Sequence, residues 1–135
     1  SRTDNRLNDL ISSCLMPEVF LPETEYVIVQ GDTATTYGIS LNAFNSQIPI
    51  GHIEAGLRSY NRKHPYPEES YRRCVSTFVN SHFCVTDVGH KNLQTERIDY
   101  DDAIVVGNTV LDRLPKVTPR YSNEVLVTLH RRETA

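Results

Sequence analysis

The sequence predicts an α/β domain built on a parallel sheet with flanking helices. Short apolar runs at residues 25–30, 48–53, 81–86 and 102–106 have the length and composition of strands. Segments with helical patterns separate them, and strands that alternate with helices form βαβ units with parallel strands and right-handed crossovers. A length of 135 residues suits one such domain, because a chain of this size buries enough apolar surface to fold.

The first half of the chain is predicted to hold two helices and two strands. In residues 4–16 the apolar side chains recur every three or four positions, which describes one face of a helix. The first strand ends at Gly31, after which Asp32 or Thr33 can cap a helix that runs to about Phe44. The second strand follows that helix, so the pair should be parallel.

The second half continues the alternation after a loop. Residues 56–67 are polar, aromatic or proline without periodicity, which suits a loop at the mouth of a cleft. Glu68 begins a helical pattern that runs to about residue 79, and Asp87 begins another after the third strand. The fourth strand is closed by the turn Gly107-Asn108-Thr109.

The end of the chain predicts a domain boundary. Residues 1–115 are assigned to one domain, and residues 116–123 form a polar, proline-containing linker. Residues 124–129 have the composition of a new strand, so residues 124–135 are interpreted as the start of a second, truncated domain. The sequence also begins without methionine, and we therefore expect these residues to be part of a longer chain.

Composition excludes several classes of function. The net charge is −3 with acids and bases interspersed, which is not the basic face of a nucleic-acid-binding protein. Three scattered cysteines, Cys14, Cys74 and Cys84, lack the spacing of a disulfide framework or a zinc site. No apolar run approaches the length of a membrane span, so a cytoplasmic protein is expected. Dinucleotide and Walker motifs are missing, which predicts no redox cofactor and no metal.

Carboxylates stand at three strand ends or turns. They are Asp32, Glu54 and the pair Glu68-Glu69, and the carboxyl ends of parallel strands are where ligands bind. Such carboxylates can act as general acids and bases. The structural alternatives are that Asp32 caps a helix and that Glu68 and Glu69 favour the positive end of theirs. Glu54 directly follows an apolar strand and needs a partner or a function, and Arg58 is the candidate partner.

Two further features could bind an anion, and one histidine needs a separate interpretation. His130 and the adjacent Arg131 could meet a diphosphate, although a solvated loop is the simpler interpretation. The turn at residues 107–109 offers backbone N–H groups at a helix start, as does any ordinary cap. His52, inside a strand, is interpreted as a packed core histidine rather than as a base.

Five motifs follow one another from residue 30 onward: QGDTATT (30–36), GHIEAGLRS (51–59), PEESYRR (67–73), GNTVLD (107–112) and HRRE (130–133). In this order and at about this spacing they resemble the non-hydrolysing UDP-N-acetylglucosamine 2-epimerases, and the resemblance covers nearly everything from Tyr26 onward. It implies a two-domain fold like that of the B-type glycosyltransferases, with the active site between two Rossmann-like domains. Residues 1–115 would be part of the first domain.

The resemblance also implies roles for individual residues. Asp32, Glu54 and Glu68 match the family's catalytic acids, and His130 its active-site histidine. The implied substrate-binding residues are Arg58, Asn108, Thr109 and Arg131. Arg131 falls where some bacterial members contact a second, regulatory molecule of UDP-N-acetylglucosamine.

The implied reaction interconverts UDP-N-acetylglucosamine and UDP-N-acetylmannosamine through a bound 2-acetamidoglucal, with no cofactor, to supply an aminosugar for a surface polysaccharide. Alternatives are a hydrolysing relative, a glycosyltransferase of the same fold, or a non-catalytic fragment that binds a sugar nucleotide or a protein. The resemblance further implies a homodimer. Without the remaining domain, the 135 residues alone are expected to be inactive.

Overall fold

The computed structural model describes residues 5–116, 118 and 122–128. Its centre is a sheet of four parallel strands in the order β1-β2-β3-β4. The strands are β1 (Val27–Gln30), β2 (Ile50–Ala55), β3 (Ser81–Cys84) and β4 (Asp102–Val105). The predicted α/β class with a parallel sheet is therefore confirmed, and all four strand ends lie at one edge.

Four helices accompany the sheet. They are α1 (Arg6–Cys14), α2 (Ala34–Asn45), α3 (Glu68–Ser76) and α4 (Asp87–Thr95). Short 3₁₀ helices follow α1 at Pro17–Val19 and β4 at Thr109–Arg113. Polar side chains that accept backbone N–H bonds cap three of the helices, with Asn5 capping α1, Thr33 capping α2 and Thr86 capping α4. Of the two predicted caps for α2, Thr33 is the correct one, so Asp32 does not serve that purpose.

The core lies between the sheet and these helices. Six buried side chains form its main cluster, namely Val27, Val29, Ala43, Ile50, Val75 and Val79. The rings of Tyr37 on α2 and Tyr71 on α3 stack at 5.1 Å, which joins the two helices over β1 and β2. On the opposite face of the sheet, Ile28 stays 62% exposed.

Several predicted boundaries differ from the structure; for example, β3 ends at Cys84 rather than at residue 86, and α3 ends at Ser76 rather than near residue 79. The second strand was predicted to end at Ile53, but β2 continues to Ala55. A strand was also predicted at residues 124–129, whereas residues 124–128 have no regular secondary structure and residue 129 lies outside the described part of the chain. The assignment of residues 124–135 to a second domain stays a prediction.

Candidate active site

Asp32 lies on a tight turn at the end of β1. Gly31 adopts φ +78°, a left-handed conformation that suits glycine, and its N–H donates to the carbonyl of Ile53 at 3.1 Å. The hydroxyl of Thr36 donates to the carbonyl of Gln30 at 2.8 Å. The Asp32 carboxylate, 28% exposed, accepts a hydrogen bond from Arg72 of α3. The turn thus presents a paired carboxylate at the edge of the sheet.

Glu54 occupies a bulge in β2 rather than the position after the strand. The pairing with β3 shifts between Ile53 and Ala55, and Glu54 between them has φ +68°. A positive φ is uncommon outside glycine, and such outliers cluster at functional sites. The side-chain amide of Gln30 donates to Glu54 Oε1 at 2.8 Å. The bulge therefore turns Glu54 toward the first strand, close to the turn that carries Asp32.

Arg58 is not the partner of Glu54, and that predicted pairing is wrong. Its guanidinium donates to both carboxylate oxygens of Glu96, at 2.8 to 3.0 Å, and to the hydroxyl of Ser76 at 3.0 Å. The Arg58 side chain is fully buried in this ion pair. The predicted contact of Arg58 with a substrate stays a prediction.

The two glutamates at the start of α3 have different environments. The Glu69 side chain is fully buried and accepts from the backbone N–H groups of Ser59 and Tyr60, at 2.9 and 3.0 Å. Arg72 Nη1 adds a longer contact to Glu69 at 3.5 Å. Glu68 Oε2 is also buried, but it has no hydrogen-bond partner among the described residues. Glu69 therefore anchors the loop at Ser59 and Tyr60, and Glu68 is the glutamate of the pair whose buried oxygen is not used by the described residues.

Arg72 joins these parts of the site. It contacts both Asp32 on the β1 turn and Glu69 on its own helix. From the sequence alone, Arg72 is only a member of the PEESYRR motif, without a role of its own. Its spacing from Glu69 by three positions on one helix was the available signal, because such residues share a helix face.

Two histidines lie side by side beneath this edge. His52 of β2 and His82 of β3 are register partners with ring centroids 6.5 Å apart. Burial, together with the smaller electrostatic effects of His52 and Arg58, lowers the pKa of His82 to about 4. Burial also lowers the pKa of His52, although its hydrogen bond to Gly31 acts in the opposite direction. Both rings are therefore neutral at pH 7, and His52 is a packed histidine as predicted.

The turn after β4 lies at the same edge of the sheet. β4 pairs with β3 as far as Val105, and the N–H of Val106 donates to the Cys84 carbonyl at 2.9 Å. The Asn108 side chain accepts from the N–H of Val110 at 3.1 Å, and Thr109 begins the 3₁₀ helix. The motif thus shares an edge with the carboxylates, two strands from Glu54. His130 and Arg131 lie outside the described residues.

No helix in the described part of the chain has the length and apolar character needed to cross a membrane. Across residues 5–116, 118 and 122–128, no group of three or more histidine, cysteine or acidic side chains is placed to hold a metal ion. The fold and the site define a parallel α/β domain with carboxylates gathered at its ligand-binding edge.

Comparisons with known proteins identify the family. The model of the UDP-N-acetylglucosamine 2-epimerase family matches residues 18–135. The UDP-N-acetylglucosamine 2-epimerase of Neisseria meningitidis serogroup A is 43% identical over 135 aligned residues, which cover 86% of this chain and 36% of that protein. The Bacillus subtilis enzyme of the same name is 41% identical, with 81% and 32% covered. The chain belongs to the UDP-N-acetylglucosamine 2-epimerase family and spans about a third of these relatives' length.

Solved structures agree with this assignment. The Neisseria meningitidis UDP-GlcNAc 2-epimerase bound to UDP-GlcNAc matches with a TM-score of 0.68 and 48% identity, covering 78% of this chain and 28% of that one. The Staphylococcus aureus MnaA–UDP complex matches with a TM-score of 0.74 and 38% identity, covering 81% and 31%. The predicted Rossmann-like fold class, of the B-type glycosyltransferase kind, is therefore confirmed.

Proposed function

We propose that this chain carries the acid/base half of the active site of a non-hydrolysing UDP-N-acetylglucosamine 2-epimerase. The observation that carries the proposal is the meeting of three family motifs at one sheet edge. There Asp32 lies on the β1 turn, Glu54 lies in the neighbouring β2 bulge, and Glu68 keeps a buried oxygen with no partner among the described residues. A buried carboxylate oxygen without a partner is costly unless a ligand uses it.

The proposed reaction requires groups that take and return a proton at C2. A carboxylate removes the C2 proton, the C–H electrons form the C1–C2 double bond, and the C1–O bond breaks to release UDP. The 2-acetamidoglucal stays bound while a UDP oxygen attacks C1 again and an acid delivers a proton to the other face of C2. Charge that develops at C1 is stabilised by a nearby carboxylate.

The proposed roles of these residues are of three kinds. Asp32, Glu54 and Glu68 are the proposed acid/base and electrostatic groups, and Arg72 holds Asp32 in place. The proposed binding residues for the nucleotide are Arg58, Asn108, Thr109 and Arg131, with His130 as the active-site histidine.

The wider proposals follow from relatives. The Neisseria structure contains UDP-GlcNAc, and a complex of the Methanocaldococcus jannaschii enzyme contains UDP-GlcNAc and UDP. We take UDP-N-acetylglucosamine as the substrate and, at a second site that includes Arg131, as an activator. We also propose that the full-length protein is a cytoplasmic homodimer and that it supplies an aminosugar for polysaccharide synthesis.

The test follows the C2 proton in a full-length protein of the family that carries these residues. Proton NMR in deuterated water with UDP-N-acetylglucosamine should show deuterium at C2 and a growing UDP-N-acetylmannosamine signal. Release of free N-acetylmannosamine and UDP would instead indicate the hydrolysing reaction. Absence of both exchange and release would contradict the proposal.

The role of Glu54 is tested in the same assay. We expect Glu54→Gln to lower turnover by at least about 100-fold, because an amide cannot exchange a proton as a carboxylate does. The matched control is Glu25→Gln, which changes an exposed carboxylate just before β1 and should leave turnover unchanged. Full activity of Glu54→Gln would remove this residue from the catalytic set.

A further inference from the structure

We infer that His52 is a positioning residue for Asp32 and acts through the carbonyl group of Gly31. This inference rests on the proposed function, because it assigns a means of holding one of its catalytic acids. His52 Nε2 lies 2.7 Å from the Gly31 oxygen, and the residue is only 1% exposed. The Gly31 carbonyl and the Asp32 nitrogen belong to the same planar peptide group. A hydrogen bond that fixes this carbonyl therefore also fixes the peptide plane that leads into Asp32.

The Gly31 peptide needs such a bond because its backbone conformation is unusual. At φ +78° the chain leaves the strand, and no backbone N–H of the described residues donates to the Gly31 carbonyl. The N–H of Gly31 still pairs with Ile53, and Thr36 pairs with the preceding carbonyl. His52 therefore supplies the side-chain donor that completes the turn, and a buried carbonyl that loses its donor is destabilised.

The protonation state of His52 suits this task. The neutral imidazole carries one proton, and a hydrogen bond to a carbonyl requires that proton on Nε2. The other nitrogen, Nδ1, is buried and has no partner among the described residues, so nothing there competes for the proton. The geometry thus selects the tautomer with hydrogen on Nε2.

His82 provides an internal control for the packing contribution of His52. It is the register partner of His52 on the adjacent strand and is fully buried. Neither of its ring nitrogens has a hydrogen-bond partner in the described part of the chain. Equivalent substitutions at the two positions disturb the same layer, but only those at His52 remove a bond to the Asp32 turn.

The experiment compares glutamine and asparagine at both positions in the full-length protein. The amide nitrogen of glutamine reaches about where histidine Nε2 lies, whereas that of asparagine stops at the position of Nδ1. We expect His52→Asn to lower kcat about 5- to 100-fold, as for loss of a donor to a buried carbonyl. His52→Gln should recover most of that loss, and KM should change less than about twofold in either variant. His82→Gln and His82→Asn should have equal kcat values.

Two results would overturn the inference while the wild-type protein still epimerises its substrate. One is an equal kcat for His52→Gln and His52→Asn. The other is a difference in kcat between His82→Gln and His82→Asn that is as large as the difference between the two His52 variants. A wild-type protein without exchange at C2 would instead contradict the proposed function. If the variants do not fold, long-range proton–nitrogen NMR of the wild-type histidines decides the matter, because hydrogen on Nδ1 of His52 would exclude the bond to Gly31.

Discussion

The turns after β1 and β4 lie at the same edge of the sheet but are held very differently. The β1 turn receives hydrogen bonds from β2, α2 and α3, so its Asp32 is fixed by parts of the chain distant in sequence. At the β4 turn, Asn108 accepts two local bonds, from the N–H groups of Val110 and Leu111, and a Cβ at Gly107 would meet nothing within 4 Å. The difference teaches that distant parts of this chain hold the β1 turn, whereas the bonds of Asn108 in the β4 turn are local ones.

The largest expected effect is at Glu69, which anchors the loop at Ser59 and Tyr60. Glu69→Ala should destabilise the fold by about 4 kcal/mol, because it leaves two loop N–H groups and Arg72 without their buried partner. Asp112→Ala, on the exposed 3₁₀ helix after β4, should change stability by less than about 0.5 kcal/mol. Urea unfolding measures both. Similar losses in the two variants would contradict the comparison.

The next effect uses two glycines with nearly the same backbone angle. Gly56 has φ +77° and Gly107 has φ +81°, so alanine is strained at both. At Gly56 the added Cβ would also lie 2.1 Å from the carbonyl oxygen of Gly89, which α4 can relieve only by moving. We expect losses of about 3 kcal/mol for Gly56→Ala and about 1 kcal/mol for Gly107→Ala in thermal or urea unfolding. Equal losses would show that strain alone governs both sites.

A pH dependence follows from the neutral His82. Its pKa is about 4 in the folded state and about 6.5 when unfolded, so the unfolded chain binds more protons between these values. Stability is therefore full above pH 6.5 and is lost as the pH falls toward 4, by at most about 3 kcal/mol from this residue. His82→Phe should flatten the stability profile in that window. An unchanged profile would assign the acid sensitivity to other groups.

Apart from the Asp112→Ala control, the smallest expected effect on stability is at Asn108 in the β4 turn. Asn108→Ala removes the side-chain acceptor for Val110, and we expect a loss of about 0.5 to 1 kcal/mol. If this turn binds the substrate as predicted, Asn108→Ala should also raise KM for UDP-N-acetylglucosamine. Expressed as a free energy, that rise should exceed the loss in the free energy of unfolding. Steady-state kinetics beside urea unfolding separates the two, and an unchanged KM would leave Asn108 with a capping role only.

Periodicity and turn chemistry were sufficient to predict the element order, the parallel sheet and three of the motifs at its edge. They failed where long-range contacts decide. The bulge at Glu54 depends on how β2 pairs with β3, and the Arg58–Glu96 pair joins residues 38 positions apart. The neighbouring residues Glu68 and Glu69 point in different directions from one helix. Only the fold of the loop at Ser59 and Tyr60 shows that Glu69 is the one whose carboxylate accepts the loop's hydrogen bonds.

The bulge also restricts how this strand can evolve. Ile50 and His52 face one side of the sheet, and Ala55, rather than residue 54, resumes the pairing with β3. Deleting residue 54 would leave Ile53 and Ala55 opposite Phe83 and Cys84 in a regular ladder, but it would remove the residue that the bulge carries. A change of length between residues 53 and 55 therefore alters the bulge itself, whereas a substitution at residue 54 changes chiefly the side chain that the bulge carries.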